Sequence, residues 1–390
     1  MMTPSGGMVL IFAMAAGSAL PAQPLVTKVT TLTDKGGRVD WSPQGDRIAF
    51  DRLNNQGYFE IYTMRPDGSA PTCLTCGKPG APRRHKGNPA YHPSAEWIVF
   101  QAERDDVGGG GGGGMRRRGA RGGFGALSGG RQGRADFFGT PGRGFLNDLW
   151  IMDARGDRYW RLAATDRQAG GILHPHFSRS GDRLVWAERL GGEDGGAGVG
   201  RGNWGEWAIK VADFSAADGA PRVSNVRTLQ PGSRHRLYET HGFTADGRKI
   251  VFTAVAERGT NPIGFDIYVF DLQTHSLTNL TDSPDEWDEH AQISPKGDKI
   301  LWMSSKGLPL GSRAAEVKSE FWIMNLDGSE KTRLTSFNDP KSPEYIPGGV
   351  TAGDTSWSPD GTQVAAYLIE DARRNLGRIV LLQFQWERGE

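Results

Sequence analysis

Trp41-Ser42-Pro43-Gln44-Gly45-Asp46-Arg47-Ile48-Ala49-Phe50 is followed at short intervals by Ile61-Tyr62-Thr63-Met64, Asp67-Gly68 and Cys73-Leu74-Thr75. The pattern returns along the chain. Trp357-Ser358-Pro359-Asp360-Gly361-Thr362-Gln363-Val364-Ala365-Ala366 is a second clear copy, and others begin at Tyr91, Phe177, Phe243 and Ile293, six in all. Repetition at this period means one supersecondary unit stacked on copies of itself.

Each copy opens with an aromatic residue or Ile and then a turn. Ser-Pro-x-Gly, as in Ser294-Pro295-Lys296-Gly297, suits a type I turn with Pro presetting φ at the second corner. A short apolar run follows (Ile48 to Phe50, Ile98 to Phe100, Ile250 to Phe252), too short for a helix and bounded by turn residues, hence a buried strand. A second run (Trp150-Ile151-Met152, Trp322-Ile323-Met324), an Asp-Gly hairpin turn and a last strand ending in Leu-Thr complete the unit. Four strands per unit is the size of a propeller blade. The sixth copy lacks its last strand, and Val29-Thr30-Thr31-Leu32-Thr33 supplies that pattern at the other end of the chain. The expected fold is therefore all-β: a six-bladed β-propeller of four-stranded antiparallel blades, occupying residues 26–390 as one domain, with an N-terminal strand completing the last blade and removing exposed sheet edges.

The order Trp-Ser-Pro-Asp-Gly, apolar strand, Ile-Tyr/Trp-x-Met, Asp-Gly-Ser, x-Leu-Thr resembles the propeller repeats of the TolB family. Trp41 to Thr75 carries it best, and Asp327-Gly328-Ser329, Leu334-Thr335 and Trp357 to Gly361 repeat it. The resemblance implies a propeller of the cell envelope. TolB itself has an α/β domain before its propeller, for which few residues are left here, so its role in the Tol system is not carried over. Similar repeats occur in propellers attached to prolyl oligopeptidase and tricorn peptidases. Those need a Gly-x-Ser-x-Gly nucleophile elbow, which this sequence lacks.

Net charge is +1 and the pI about 7.8, which argues against nucleic acid or a membrane surface as partner. Met8 to Ala16 is apolar but too short to span a bilayer, and small residues follow; residues 1–22 are expected to be a signal peptide, cleaved after Ala19 or Ala22, which places the protein in the periplasm or outside the cell. Cys73 and Cys76 are the only cysteines. A structural disulfide, free buried thiols and a redox pair all stay open, the first requiring a local turn. Residues 106–144, rich in Gly and Arg, cannot bury a core and are expected to be a disordered insert in blade two; Gly191 to Gly202 is a smaller one.

Stacking the repeats aligns a set of polar side chains on the segment entering the innermost strand. Three places before the opening aromatic stand Arg38, Asn88, His174, Thr240, His290 and Asp354; one place before stand Asp40, Ala90, His176, Gly242, Gln292 and Ser356; His241 lies between. Alternation in a strand puts both columns on the channel together. Four of the eight His of the chain fall here. His174, His290 and Asp354 are the candidate ligands of one divalent metal, and Arg38, Asp40, His176, His241 and Gln292 the candidate ligand-binding residues of the channel. Trp204, Trp207 and Trp287 read either as blade packing, since Trp is largely buried in most folds, or as loop contacts for a ligand; the acidic run Asp282 to Glu289 reads as a solvated loop or as a site for a cation or basic partner.

Two functions are compatible with this. The leading expectation is a monomeric, non-enzymatic propeller that binds an envelope protein, peptide or glycan, with no nucleic acid and no membrane span. The alternative is a metal-dependent polysaccharide lyase or hydrolase. Oligogalacturonate lyases resemble it in their repeats, hold a metal on the axis through His and Gln, and commonly place a His before the Phe-Ser turn, as His174-Pro175-His176-Phe177-Ser178 does here. They have seven blades, and only the metal position carries over, with His241 or His176 as base.

Overall fold

The computed structural model describes residues 24–106, 139–192, 204–255, 257–258, 264–310 and 314–386. The expected signal peptide, and most of both Gly-rich inserts, lie outside the described residues. Six four-stranded antiparallel sheets form the molecule. The first strand of each touches the first strand of the next around a closed ring: Val39–Trp41, Lys86–Tyr91, Gly171–Phe177, Tyr238–Phe243, Asp288–Ile293 and Thr351–Trp357. The expected six-bladed propeller is what forms. No helix among the described residues is long and apolar enough to cross a membrane.

Alternation of side chains builds the ring. In Ile48–Leu53, Ile48 and Phe50 pack with Ile379 and Leu381 of blade six, whereas Ala49 packs with Ile61, Ile98 and Phe100 toward blade two. Each apolar residue of the middle strands thus lies in an inter-blade interface, where a buried Ile or Phe contributes about 1.5–3 kcal/mol. The turn behaves as its sequence demands: Gly45 N donates to Ser42 O (2.9 Å), with φ of 79° at Gly45. The Leu-Thr at each blade's end has a function that the pattern alone did not reveal. Thr75, Thr281 and Thr335 each donate to the acid that opens the third strand (Glu60, Asp266, Glu320) and accept the next residue's N–H at 3.0 Å.

Closure is as expected. Pro24–Gly36 pairs antiparallel with Leu376–Trp386, Thr30 opposite Leu381, so blade six is made from both ends of the propeller. Cys73 and Cys76 are joined in a disulfide at the outer edge of blade one, which removes the reading as free thiols; a structural bridge and a redox pair share this bond. Trp204, Trp207 and Trp287 are 9%, 0% and 7% exposed. They pack in the core of blades three to five and are not loop contacts. The acidic run divides as well: Asp288 accepts Trp302 Nε1 and Glu289 accepts Trp287 Nε1, so both are interior residues.

Candidate functional site in the propeller channel

The inner strands of blades two to six are irregular at one place. Two residues oppose one on the neighbouring strand: Asn88-Pro89, His174-Pro175, His241-Gly242, His290-Ala291 and Gly353-Asp354. These are β-bulges, which re-aim side chains and disrupt the ladder locally. Asn88, His174 and His290 carry φ of 52°, 47° and 54°, a region that L-residues seldom occupy. In blade four the left-handed position falls on Gly242 (φ 99°) instead.

The residues of the second column carry contacts of their own. Asp40 is a joint between blades: its carboxylate accepts Tyr91 N (2.6 Å) and Ser356 Oγ (3.0 Å), while Ser356 Oγ accepts Trp41 N. Burial pushes its carboxyl up to about 7. Gln292 is half-buried, and its backbone carbonyl receives the Trp357 indole. Thr240, from the first column, donates to the backbone of His174, and His241 takes the channel place in that blade. His176 is half-buried beside Asp354, its imidazole pushed down to about 4 by burial.

What converges is a cluster from blades three, four, five and six. One donor atom each from His174, Glu239 and His290 lies within 4.8 Å of the others. His174 Nε2 is 3.3 Å from Glu239 Oε2, and His290 Nδ1 is 3.9 Å from the same oxygen. Donors around a tetrahedral zinc stand about 3.4 Å apart, given bonds of about 2.0–2.1 Å, so these separations fit a first-row divalent cation. All three atoms are buried and, among the described residues, lack a hydrogen-bond partner. The far nitrogens do have carboxylates near them: Asp354 Oδ1 is 3.4 Å from His174 Nδ1, and Glu289 Oε2 is 3.4 Å from His290 Nε2. His241 Nε2 and Thr253 Oγ1 share a hydrogen bond (2.7 Å), and the His241 ring centre is 5.9 Å from that of His174. Carboxylates behind imidazoles fix the tautomer and aim the other nitrogen, as in metal sites.

The electrostatics favour the same chemistry. Burial, then the neighbouring imidazoles, holds His174 and His241 well below the usual range, so both are neutral and able to ligate. Burial, then Glu289 and Asp354, pushes Glu239 well above it. Glu239, Glu289 and Asp354 thus crowd the neutral rings of His174 and His241, an arrangement that a bound cation relieves.

Of the expected metal ligands, His174 and His290 meet in the cluster and Asp354 stands against both rings. Glu239 and Glu289 were missed. Each stands four places before the opening residue of its repeat, Phe243 or Ile293, and an acid there in two adjacent blades was the available signal. Arg38 does not join the cluster. It is paired instead with Asp51 of its own blade, Nε to Oδ2 at 2.8 Å and Nη2 to Oδ1 at 3.1 Å.

No protein-family model matches the sequence, and no curated protein matches it. Among solved structures the chain is similar to a putative TolB from Agrobacterium tumefaciens, with a TM-score of 0.52 at 12% identity over 93% of this chain and 99% of that one. The fold is TolB-like. The chain is also similar to TolB from Acinetobacter baumannii (TM-score 0.48, 16% identity, 92% of this chain), of whose length it spans 65%. A third similarity is to an oligogalacturonate lyase from Vibrio parahaemolyticus (TM-score 0.45, 10% identity, 94% of this chain and 98% of that one). At such identities the likeness is one of fold alone, and function must be argued from the site.

Proposed function

We propose that this TolB-like propeller is a binding scaffold of the periplasm or cell exterior whose ligand site is a divalent transition-metal centre in the channel, held by His174, Glu239 and His290. The observation that carries it is the convergence of three buried donor atoms, from three blades, that lack hydrogen-bond partners. Two imidazoles and one carboxylate suit zinc, iron(II) or manganese, and three protein ligands leave a position for a ligand atom. Bound there, a metal supplies a Lewis acid for a carboxylate or carbonyl oxygen. The chain's own contribution is to keep His174 and His241 neutral by burial and to hold His290 from behind through Glu289. The Cys73–Cys76 disulfide supports an oxidising compartment.

The test is metal content of the purified protein by mass spectrometry, for wild type, His174→Ala, His290→Ala and Glu239→Gln. About one metal per chain in the wild type, lost in each variant, supports the centre. No metal in the wild type, and none taken up on addition of zinc, manganese or iron(II), sinks it. Acidic polysaccharides incubated with the loaded protein then separate a scaffold from the lyase or hydrolase reading, in which His241 or His176 takes up a proton.

A further inference from the structure

The channel has a second half, made by blades six, one and two, with opposite chemistry. Arg38 of blade one is 3% exposed and bound to Asp51 through Nε and Nη2. Its Cζ lies over the Tyr367 ring at 5.5 Å on the blade-six side. On the other side, Asn88 N donates to Asp51 Oδ2 (3.2 Å). Asn88 holds the bulge position that His174 and His290 hold in their blades, so its amide is aimed into the channel as their rings are.

A third element completes this half. Gly139 to Gly144, the end of the segment expected to be a disordered insert, packs here. Pro141 O accepts Asn375 Nδ2, and a Cβ on Gly142 would stand 2.8 Å from Arg38 Nη1. The segment brings Arg143 beside Arg38, where burial and the Arg38 guanidinium push it down to about 10.

Two buried side chains here have polar atoms without partners. Asn88 is 5% exposed with both Oδ1 and Nδ2 unpaired, and Tyr367 is fully buried with its hydroxyl unpaired. Burial also raises the Tyr367 phenol, which keeps it protonated and a donor. An amide N–H and a phenol O–H, buried and unpaired beside two guanidinium groups, are donors in need of an acceptor, and the planar fork of Arg matches a carboxylate.

We propose that Arg38, Asn88, Arg143 and Tyr367 form a subsite for a carboxylate group, across the channel from the histidine cluster, so that the ligand is a dicarboxylate-type anion spanning the two. The subsite stands on blades six, one and two alone; only its pairing with a metal rests on the function proposed above.

Linear dicarboxylates from malonate to adipate, with acetate as control, are titrated by calorimetry into metal-free and zinc-loaded protein. At least one dicarboxylate is expected to bind metal-free wild type and to weaken by about tenfold or more in Arg143→Gln. Zinc is expected to tighten the best-fitting dicarboxylate by about tenfold or more over acetate, a gain lost in Arg143→Gln and in His290→Ala. Asn88→Leu, which removes both unpaired amide atoms, replaces Arg143→Gln if that variant does not fold. The subsite is overturned if no dicarboxylate binds, or if binding ignores both variants; zinc-dependent binding that ignores them leaves the metal centre standing alone. Variant-sensitive binding in a protein that takes up no zinc does the reverse.

Discussion

Glu289→Gln isolates the support of one ligand from the ligand itself. Glu289 Oε2 lies 3.4 Å from His290 Nε2 and receives Trp287 Nε1 at 2.7 Å. The carboxylate therefore holds the ring with its proton on Nε2, leaving the Nδ1 lone pair facing Glu239 and the cluster. Losing such a partner costs about 10–100-fold in metal affinity, or about 1.4–2.7 kcal/mol at about 1.4 kcal/mol per tenfold. Burial of both groups, at 12% and 7% side-chain exposure, keeps solvent screening from erasing the effect. Gln is isosteric, can still accept the Trp287 indole, and resembles the neutral carboxyl that burial favours in the metal-free protein. Zinc affinity is measured by competition with a chromophoric chelator, and circular dichroism confirms the fold. Affinity equal to wild type, in a folded variant that binds one zinc, would refute the role assigned to Glu289 and with it the orientation of His290.

The remaining expectations concern the scaffold. Ala95 sits at φ 58° in the blade-two turn, where the other blades place Gly at 66° to 81°; Ala95→Gly is expected to stabilise by about 1 kcal/mol, read as a higher denaturation midpoint at unchanged slope. Asp40, with a carboxyl raised from 3.8 to about 7 by burial, binds a proton in the folded state that the unfolded chain has released. Its contribution is thus full below pH 4 and is lost as pH rises through 7, at up to about 1.4 kcal/mol per unit. Asp40→Asn is expected to flatten that slope in urea titrations across the window. Cys73 and Cys76 close a loop of separation 3, for which loop entropy gives about 2 kcal/mol. Cys73→Ser is expected to lose no more than that, and the native protein to resist alkylation until reduced.

The propeller was legible because its signals are local. Ser-Pro-x-Gly, the alternation of Ile48, Ala49 and Phe50, and the Leu-Thr endings each report one turn or strand, and six copies repeat the report. The site was half legible. Counting from the opening aromatic found His174, His290 and Asp354, because a repeat places equivalent residues at equivalent radii. It did not reveal what Asp40 and Gln292 touch, because hydrogen bonds between neighbouring blades leave no mark within a single repeat. The Gly/Arg segment misled through composition: Gly139 to Gly144 resembles its neighbours in sequence, yet Gly142 is where the chain passes close against Arg38. Of the two readings of the tryptophans, packing between blades is the one that holds, with Trp207 on the strand Glu206–Ser215 itself.

Asp354 decides whether the centre binds a ligand or only braces the ring. Structural zinc sites are closed by four protein ligands, and sites that act on ligands keep a position open. Asp354 Oδ1 stands 3.4 Å from His174 Nδ1 and 3.5 Å from His290 Nδ1. The first contact places it behind the His174 ring, on the nitrogen that faces away from Glu239; the second brings it near the donor side of His290. Its carboxylate is pulled toward the His174 contact because a ring with Nε2 aimed at the cluster carries its proton on Nδ1, where only Asp354 receives it. On that reading Asp354→Asn lowers metal affinity about 10–100-fold but keeps one metal per chain. The cobalt-substituted wild type should then change its visible spectrum when azide is added, since azide enters the open position. A cobalt spectrum indifferent to azide, together with complete loss of metal in Asp354→Asn, would make Asp354 the fourth ligand. The channel would then be a metal-pinned axle, and ligand recognition would fall to the arginine half alone.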